Sequence, residues 1–291
     1  MQRTSHRYLQ VDVFADRPGG GNPLGVVLDA ADWATSRMQA FAAWTNLSET
    51  IFFLPPTTPG ASYRIRIFTP RQELPFAGHP SVGAAWVALQ AGLVTASDRL
   101  VQECAAGLLP VRIDDSGPQP TIQLRTPQAH LVETPPLPAL DAVLSSLPIA
   151  GVRPGLWNNG PSWWLVELED AAAVRHLVPD LAAIAALTTA TGAVGLSVFG
   201  RTPPGSDHHL AVRAFCPADN IPEDPVTGSV NACIAAALHA AGALPGDSGC
   251  YLASQGRELG RDGRVRVQVD DESHVWIGGQ VQLVIDGQVT W

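Results

Sequence analysis

The chain has 291 residues, 46% of them apolar, a net charge of -9, and 18 basic residues that are all arginine. That length and apolar content allow two sizeable cores, and the acidic balance argues against nucleic acid or an anionic membrane surface as partner. Without lysine there is no pyridoxal Schiff base, lysine base or Walker-type phosphate loop, so proton chemistry falls to Glu, Asp, His, Cys or Tyr.

No stretch approaches the roughly 18 apolar residues a membrane span needs, and Met1–Gln10 is too polar for a signal peptide. A soluble cytoplasmic protein is expected. Tyr8–Phe14 alternates as a strand, Leu24–Leu28 is a second, and Arg37–Trp44 has helical spacing ahead of the turn Asn46-Leu-Ser-Glu49. The Gly19–Gly25 loop fails the dinucleotide fingerprint because Leu24 stands where its last glycine belongs, which leaves a tight turn between strands. Thr50–Leu54 and Tyr63–Phe68 continue the strand pattern. A buried helix is expected over Ser81–Leu89, because apolar residues surround it on all sides. Short strands follow near Val101, Val111–Ile113 and Thr121–Leu124.

Pro127–Pro138 contains four prolines and little periodicity, so it reads as a linker between two halves. Beyond it, Trp163–Leu168, Leu196–Phe199 and Leu210–Phe215 read as strands and Leu181–Thr189 as a more exposed helix. A second apolar helix is expected over Val230–Ala241. Cys250–Ala253, Arg264–Val269, Val275–Ile277 and Val281–Ile285 close the pattern as strands. The second half repeats the plan of the first.

The repetition extends to single residues. Arg66, Phe68, Pro70 and Pro75 match Arg213, Phe215, Pro217 and Pro222 at one offset, and Gly78 matches Gly228 after three extra residues. On this alignment Asp224 lies in the insertion and Val194-Gly195-Leu196 lies opposite Glu49. Each copy is a strand, a proline-bearing turn and a glycine that opens a buried helix. The free amides and positive dipole of such helix starts suit a carboxylate. If the copies are related by a pseudo-twofold axis, the two starts can face one cleft, which is the expected active site.

Glu49 enters a strand of phenylalanines, where apolar walls would raise its pKa toward the general acid/base range; the competing reading is a solvated strand-edge carboxylate. His79, beside Gly78 at the first helix start, would stay neutral and orient a carbonyl or accept a proton, or would be structural. Asp224 precedes a proline and either makes a turn hydrogen bond or joins the site. Ser229, beside Gly228, offers a hydroxyl and an amide as helix cap, anion ligand or both. Inverting a stereocentre needs groups on both faces of a carbon, whereas one shuttling carboxyl moves a proton between two atoms on one face, so Glu49 alone favours isomerisation over epimerisation. No serine-hydrolase elbow, zinc-type cysteine spacing or convincing histidine metal pair occurs, and Cys104, Cys216, Cys233 and Cys250 read as buried free thiols. No cofactor or metal is expected.

Val11-Asp-Val-Phe14, Gly21-Asn-Pro23, Asn46-Leu-Ser-Glu-Thr50, Phe76-Ala-Gly-His-Pro80 and Asp224-Pro-Val-Thr-Gly-Ser229 together resemble the PhzF-like phenazine-biosynthesis isomerase family, as do Gln255-Gly-Arg257 and Gly278-Gly279. The resemblance implies an α+β, diaminopimelate-epimerase-like fold with two pseudo-symmetric domains, each a barrel-like, mostly antiparallel sheet around a buried helix. The domains expected are 1–127 and 128–283, with strand 284–291 returning to the first. It implies catalytic roles for Glu49, His79 and Asp224, substrate binding by Gly78, Gly228 and Ser229, no cofactor, a small cyclic or conjugated carboxylate substrate and a homodimer. Related epimerases place a thiol pair just before the two helix-start glycines, where this chain has Ala77 and Thr227. Two rivals remain: a thiol-dependent racemase using Cys216 or Cys233, and a catalytically silent carboxylate- or partner-binding protein, which would exchange no carbon-bound hydrogen with solvent.

Overall fold

Many of the strands are buried along nearly their whole length, as β-branched and aromatic runs such as Glu49–Leu54 and Leu210–Cys216 are, and two almost fully buried helices organise them. The structure, a computed structural model, describes residues 5–291. It divides into two compact units, one running to Arg125 and including Gly278–Trp291, the other formed by Thr126–Ile277.

The first unit contains β1 (Ser5–Val13), β2 (Asn22–Val27), α1 (Thr35–Thr45), β3 (Glu49–Leu54), β4 (Tyr63–Phe68), β5 (Glu73–Leu74), α2 (Gly78–Gln90), β6 (Arg99–Cys104), β7 (Gly107–Asp114) and β8 (Thr121–Arg125). Its sheet runs from the C-terminal strand Val281–Thr290 through β1, β2, β3, β4, β6 and β7 to β8, antiparallel except at β2/β3 and β4/β6. Ten of the 13 residues of α2 are buried, because the helix contacts β1, β2, β3, β4, β6, β8 and the C-terminal strand. At Gly83 a Cβ would lie 2.5 Å from Leu24 Cδ2 and 2.9 Å from Val13 Cγ2, so a side chain there would force these two buried residues to shift. The helix α1 buries Met38 and Phe41 against Trp33, Phe52 and Phe68, each such side chain contributing about 1.5–3 kcal/mol.

The second unit contains β9 (His130–Val132), α3 (Pro138–Leu144), β10 (Gly155–Asn158), β11 (Ser162–Glu167), α4 (Ala171–His176), α5 (Leu181–Thr191), β12 (Gly195–Arg201), β13 (Leu210–Cys216), β14 (Ile221–Asp224), α6 (Gly228–Ala240), β15 (Cys250–Gln255), β16 (Gly263–Val269) and, up to Ile277, the start of β17 (Val275–Gly279). Its sheet order is β9, β10, β11, β12, β13, β15, β16, again with two parallel pairs, β11/β12 and β13/β15. The pairings β2/β3, β3/β4, β4/β6 and β6/β7 thus recur as β11/β12, β12/β13, β13/β15 and β15/β16. Each unit has the diaminopimelate-epimerase-like α+β plan of a mostly antiparallel sheet around one central helix.

Strand register corrects the alignment drawn from sequence. Arg66 makes a double hydrogen bond with Glu73 (2.7 and 2.6 Å), and Arg213 does the same with Glu223 (2.9 and 2.8 Å). The two guanidinium groups also lie over Phe68 and Phe215, at 5.1 and 5.0 Å from the ring centroids. These paired clamps make Glu223 the counterpart of Glu73. The three extra residues therefore fall earlier, in the turn that holds the 3-10 stretch Pro217–Asp219. Asp224 is the counterpart of Leu74, since Ile67 pairs with Leu74 as Ala214 pairs with Asp224. Pro225, not Pro222, corresponds to Pro75. A proline match misled the alignment because prolines recur in any tight turn. Likewise, Pro127–Pro138 is not only a linker: β9 lies within it and pairs with β10, and α3 begins at its last proline.

Candidate functional site

In the first unit the turn after α1 delivers Glu49. Asn46 takes a left-handed conformation (φ 53) and returns its N–H to Ala42, which ends the helix. Ser48 Oγ then donates to Asn22 Oδ1 at 2.9 Å, and Glu49 opens β3 in parallel register with Leu24. The β4/β5 hairpin brings in α2, where Ala77 is extended (φ -151) and supplies no side-chain cap. Gly78 and His79 are the first two helical residues, and among the described residues their amides meet no acceptor. Pro80, third in the helix, loses nothing by lacking an N–H there. The result is an uncapped, buried helix start suited to an anion.

His79 Nε2 lies 3.5 Å from Glu49 Oε2, with side-chain exposures of 6% and 16%. Burial pushes the His79 pKa down to about 3, so the ring is neutral near pH 7. Both Glu49 Oε2 and His79 Nε2 are buried and face each other without a hydrogen bond that closes the pair. Glu49, His79 and Gly78 therefore come together in one unit.

Asp224, Gly228 and Ser229 belong to the second unit. Asp224 ends β14, and Thr227 precedes α6 in extended conformation (φ -112). The Thr227 hydroxyl donates to Asp224 Oδ2, so it does not cap the helix. Ser229 is not the cap either: it is the second helical residue, and its Oγ accepts from Trp163 Nε1 at 3.1 Å while its carbonyl accepts from Asn159 Nδ2 at 3.0 Å. Gly228 opens the helix, buried, as Gly78 does in the first unit.

Register places Gly195 at the position of Glu49: Thr50 pairs with Phe68, and Leu196 pairs with Phe215. The second copy thus offers no acid or base there. A Cβ at Gly195 would lie 2.4 Å from Phe215 O and 2.4 Å from Trp163 Cζ3.

Ala77 and Thr227 directly precede the two helix-start glycines, so neither position supplies a thiol. Cys233 is fully buried in α6 and burial pushes its thiol pKa well up, which removes it as a neutral-pH base. Cys216 is also buried, at the end of β13. Among the described residues no group of three or more His, Cys, Asp or Glu side chains is arranged to hold a metal ion, and no helix is long and apolar enough to cross a membrane.

Sequence reasoning missed Trp163, Asn159, Thr227, Asn231 and Gln255 as neighbours of the second helix start. Thr227, directly before the helix-opening glycine, and Asn231, in the first turn of α6, are local to the helix start. Trp163, Asn159 and Gln255 approach from distant strands and loops.

Comparisons with known proteins agree with this architecture. The family model described as "Phenazine biosynthesis-like protein" (PhzC-PhzF) matches residues 11–287. "Antisense-enhancing sequence 1" of Schizosaccharomyces pombe is 34% identical over 98% of this chain and 99% of its own. The "Trans-2,3-dihydro-3-hydroxyanthranilate isomerase" of Pseudomonas aeruginosa is 35% identical over 91% of each chain. The crystal structure of a PhzF-family phenazine biosynthesis protein from Bacillus anthracis superposes with a TM-score of 0.84 at 25% identity, covering 98% of this chain and 99% of the other.

Proposed function

Because the chain belongs to the PhzF family of phenazine-biosynthesis-like isomerases, we propose that it moves a proton within a small cyclic, conjugated carboxylate, with Glu49 as general acid/base and no cofactor. The observation that carries this reading is the Glu49–His79 pair, 3.5 Å apart and mostly buried at the start of α2.

The Gly78 and His79 amides and the helix dipole bind the substrate carboxylate. Glu49 takes a proton from carbon, and the C–H electron pair passes into the conjugated system. The protonated carboxyl then returns the proton to another carbon of that system on the same face, so the atoms balance and only double bonds move. Neutral His79 holds Glu49 in place without competing for the proton, since its own pKa is far below that of an ordinary imidazole. Asp224 accepts a hydrogen bond from the substrate, and Gly228 and Ser229 contribute further donors. The single acid/base fits the Glu49/Gly195 asymmetry. A cytoplasmic homodimer belongs to the same proposal and rests on the family resemblance.

The test uses trans-2,3-dihydro-3-hydroxyanthranilate, the compound named for the Pseudomonas aeruginosa relative, in deuterium oxide. Wild type is expected to place solvent deuterium on carbon, and Glu49→Gln to lose about 10²–10⁴-fold in turnover. Full turnover by Glu49→Gln would remove the shuttle role.

A further inference from the structure

Behind Asp224 lies a linked set of hydrogen bonds whose directions follow from the chemistry of the groups. Gln255 Oε1 accepts from the Thr227 amide at 3.0 Å, and only an oxygen can do so. Gln255 Nε2 donates to the Asp224 carbonyl at 3.2 Å, and only a nitrogen can do so. The carboxamide therefore has one orientation. The same Nε2 donates to Thr227 Oγ1 at 2.8 Å, which directs the hydroxyl hydrogen of Thr227 to Asp224 Oδ2. Asn231 Nδ2 fixes the back of the set through Thr227 O at 2.9 Å and Gln255 Oε1 at 3.0 Å. Gln255 is fully buried, Asn231 1% exposed and Thr227 8% exposed.

The first unit supplies an internal control. By the corrected register, the counterparts of Asp224, Thr227 and Asn231 are Leu74, Ala77 and Ser81. From the strand pairs Tyr63/Gln102 and Leu210/Ala253, the counterpart of Gln255 is Cys104. That copy builds the same hairpin and the same uncapped helix start with Leu74, Ala77 and Cys104 in place of Asp224, Thr227 and Gln255; Ser81 alone keeps its counterpart's bond, donating to Ala77 O at 2.8 Å as Asn231 Nδ2 donates to Thr227 O. The Asp224, Thr227 and Gln255 side chains are not required to form this supersecondary unit, so they have another use.

We propose that Thr227 and Gln255 are positioning residues: they relay a directed hydrogen bond to Asp224 and hold its carboxylate in the one orientation in which it receives a donor group of the substrate. The inference rests on the substrate-binding role given to Asp224 above. Thr227 is the acting contact, and Gln255 sets the direction of its hydroxyl. A charge-assisted bond of this kind, lost without other change, corresponds to about 10–100-fold in kcat/KM.

Crystal structures of Thr227→Val, Thr227→Ser and Gln255→Leu test the positioning directly and need no substrate. The Asp224 carboxylate is expected to rotate away in Thr227→Val and Gln255→Leu and to keep its place in Thr227→Ser; an unmoved carboxylate in both of the first two overturns the proposal. Kinetics with trans-2,3-dihydro-3-hydroxyanthranilate supply a second readout. Thr227→Val and Asp224→Asn should each lose about 10–100-fold in kcat/KM, the double variant no more than the worse single, and Thr227→Ser should recover most of the loss. Additive losses, or a Thr227→Ser as impaired as Thr227→Val, count against the relay. Full turnover by Glu49→Gln would instead sink the proton-shuttle reading and leave the relay to stand or fall on the crystal structures.

Discussion

The indole N–H of Trp163 donates to Ser229 Oγ at 3.1 Å, and the same ring lies against Gly195, where a Cβ would come within 2.4 Å of Trp163 Cζ3. Trp163 corresponds to Leu24, Ser229 to His79 and Gly195 to Glu49. One copy of the duplicated unit thus holds a carboxyl beside an imidazole, and the other an aromatic ring tied to a hydroxyl. We expect four consequences.

Gly195→Ala should destabilise the protein by about 1–3 kcal/mol, because the new methyl meets a backbone carbonyl as well as the indole and a carbonyl cannot rotate away. Urea denaturation measures this. An unchanged midpoint would show that Trp163 and β13 yield easily. The same crowding means that a carboxyl introduced by Gly195→Glu will not create an epimerase.

Glu49→Asp keeps the acid and withdraws it by one methylene from a pair already at 3.5 Å. A misplacement of about 1 Å costs on the order of 100-fold when a group must meet a specific carbon. We predict that loss in kcat, with thermal stability close to wild type. Undiminished deuterium incorporation by this variant would mean that another group carries the proton.

His79 gives a pH signature. Its pKa is about 3 in the folded chain, against about 6.5 unfolded. Between these values the unfolded state binds a proton that the folded state does not. The contribution is therefore complete above about pH 6.5 and is lost as pH falls toward 3, with a slope of up to about 1.4 kcal/mol per pH unit. Urea midpoints at pH 4, 5, 6 and 7 should show a weaker decline on acidification in His79→Asn than in wild type. Parallel curves for the two proteins would refute a buried neutral imidazole.

The two arginine clamps should differ in cost. Arg213 and Glu223 side chains are 7% and 9% exposed, Arg66 and Glu73 21% and 32%. Removing one partner of a buried pair strands the other charge, so Arg213→Ala should cost about 3–5 kcal/mol. Arg66→Ala, whose partner reaches water, should cost about 1 kcal/mol or less. Equal losses would mean that both pairs are buried to the same effective degree.

Much of the site was legible because it is encoded locally. In each copy a proline-bearing turn, a glycine and an apolar run long enough for three helical turns mark a buried helix start, and α2 and α6 begin at Gly78 and Gly228 as that pattern requires. The placing of Gly195 opposite Glu49 also agrees with strand register. The short helices α3 and α4, of seven and six residues, escaped because such lengths hold too few turns for a periodic signal. Ser229 failed as a cap because its hydroxyl is engaged by an indole 66 residues away, a partner no local window contains.

By itself the sequence determined the duplication, the α+β plan, the two helix starts and the family, all written in spacing, composition and short motifs along the chain. Only the tertiary structure decided where the three-residue insertion lies, which glutamate holds each arginine, that Trp163 closes the place of a second acid, and that Gln255 stands behind Asp224. Those facts depend on which strands pair and in what register. Hydrogen bonds between groups tens of residues apart form only once the sheet has fixed both partners, and no stretch of sequence states that in advance.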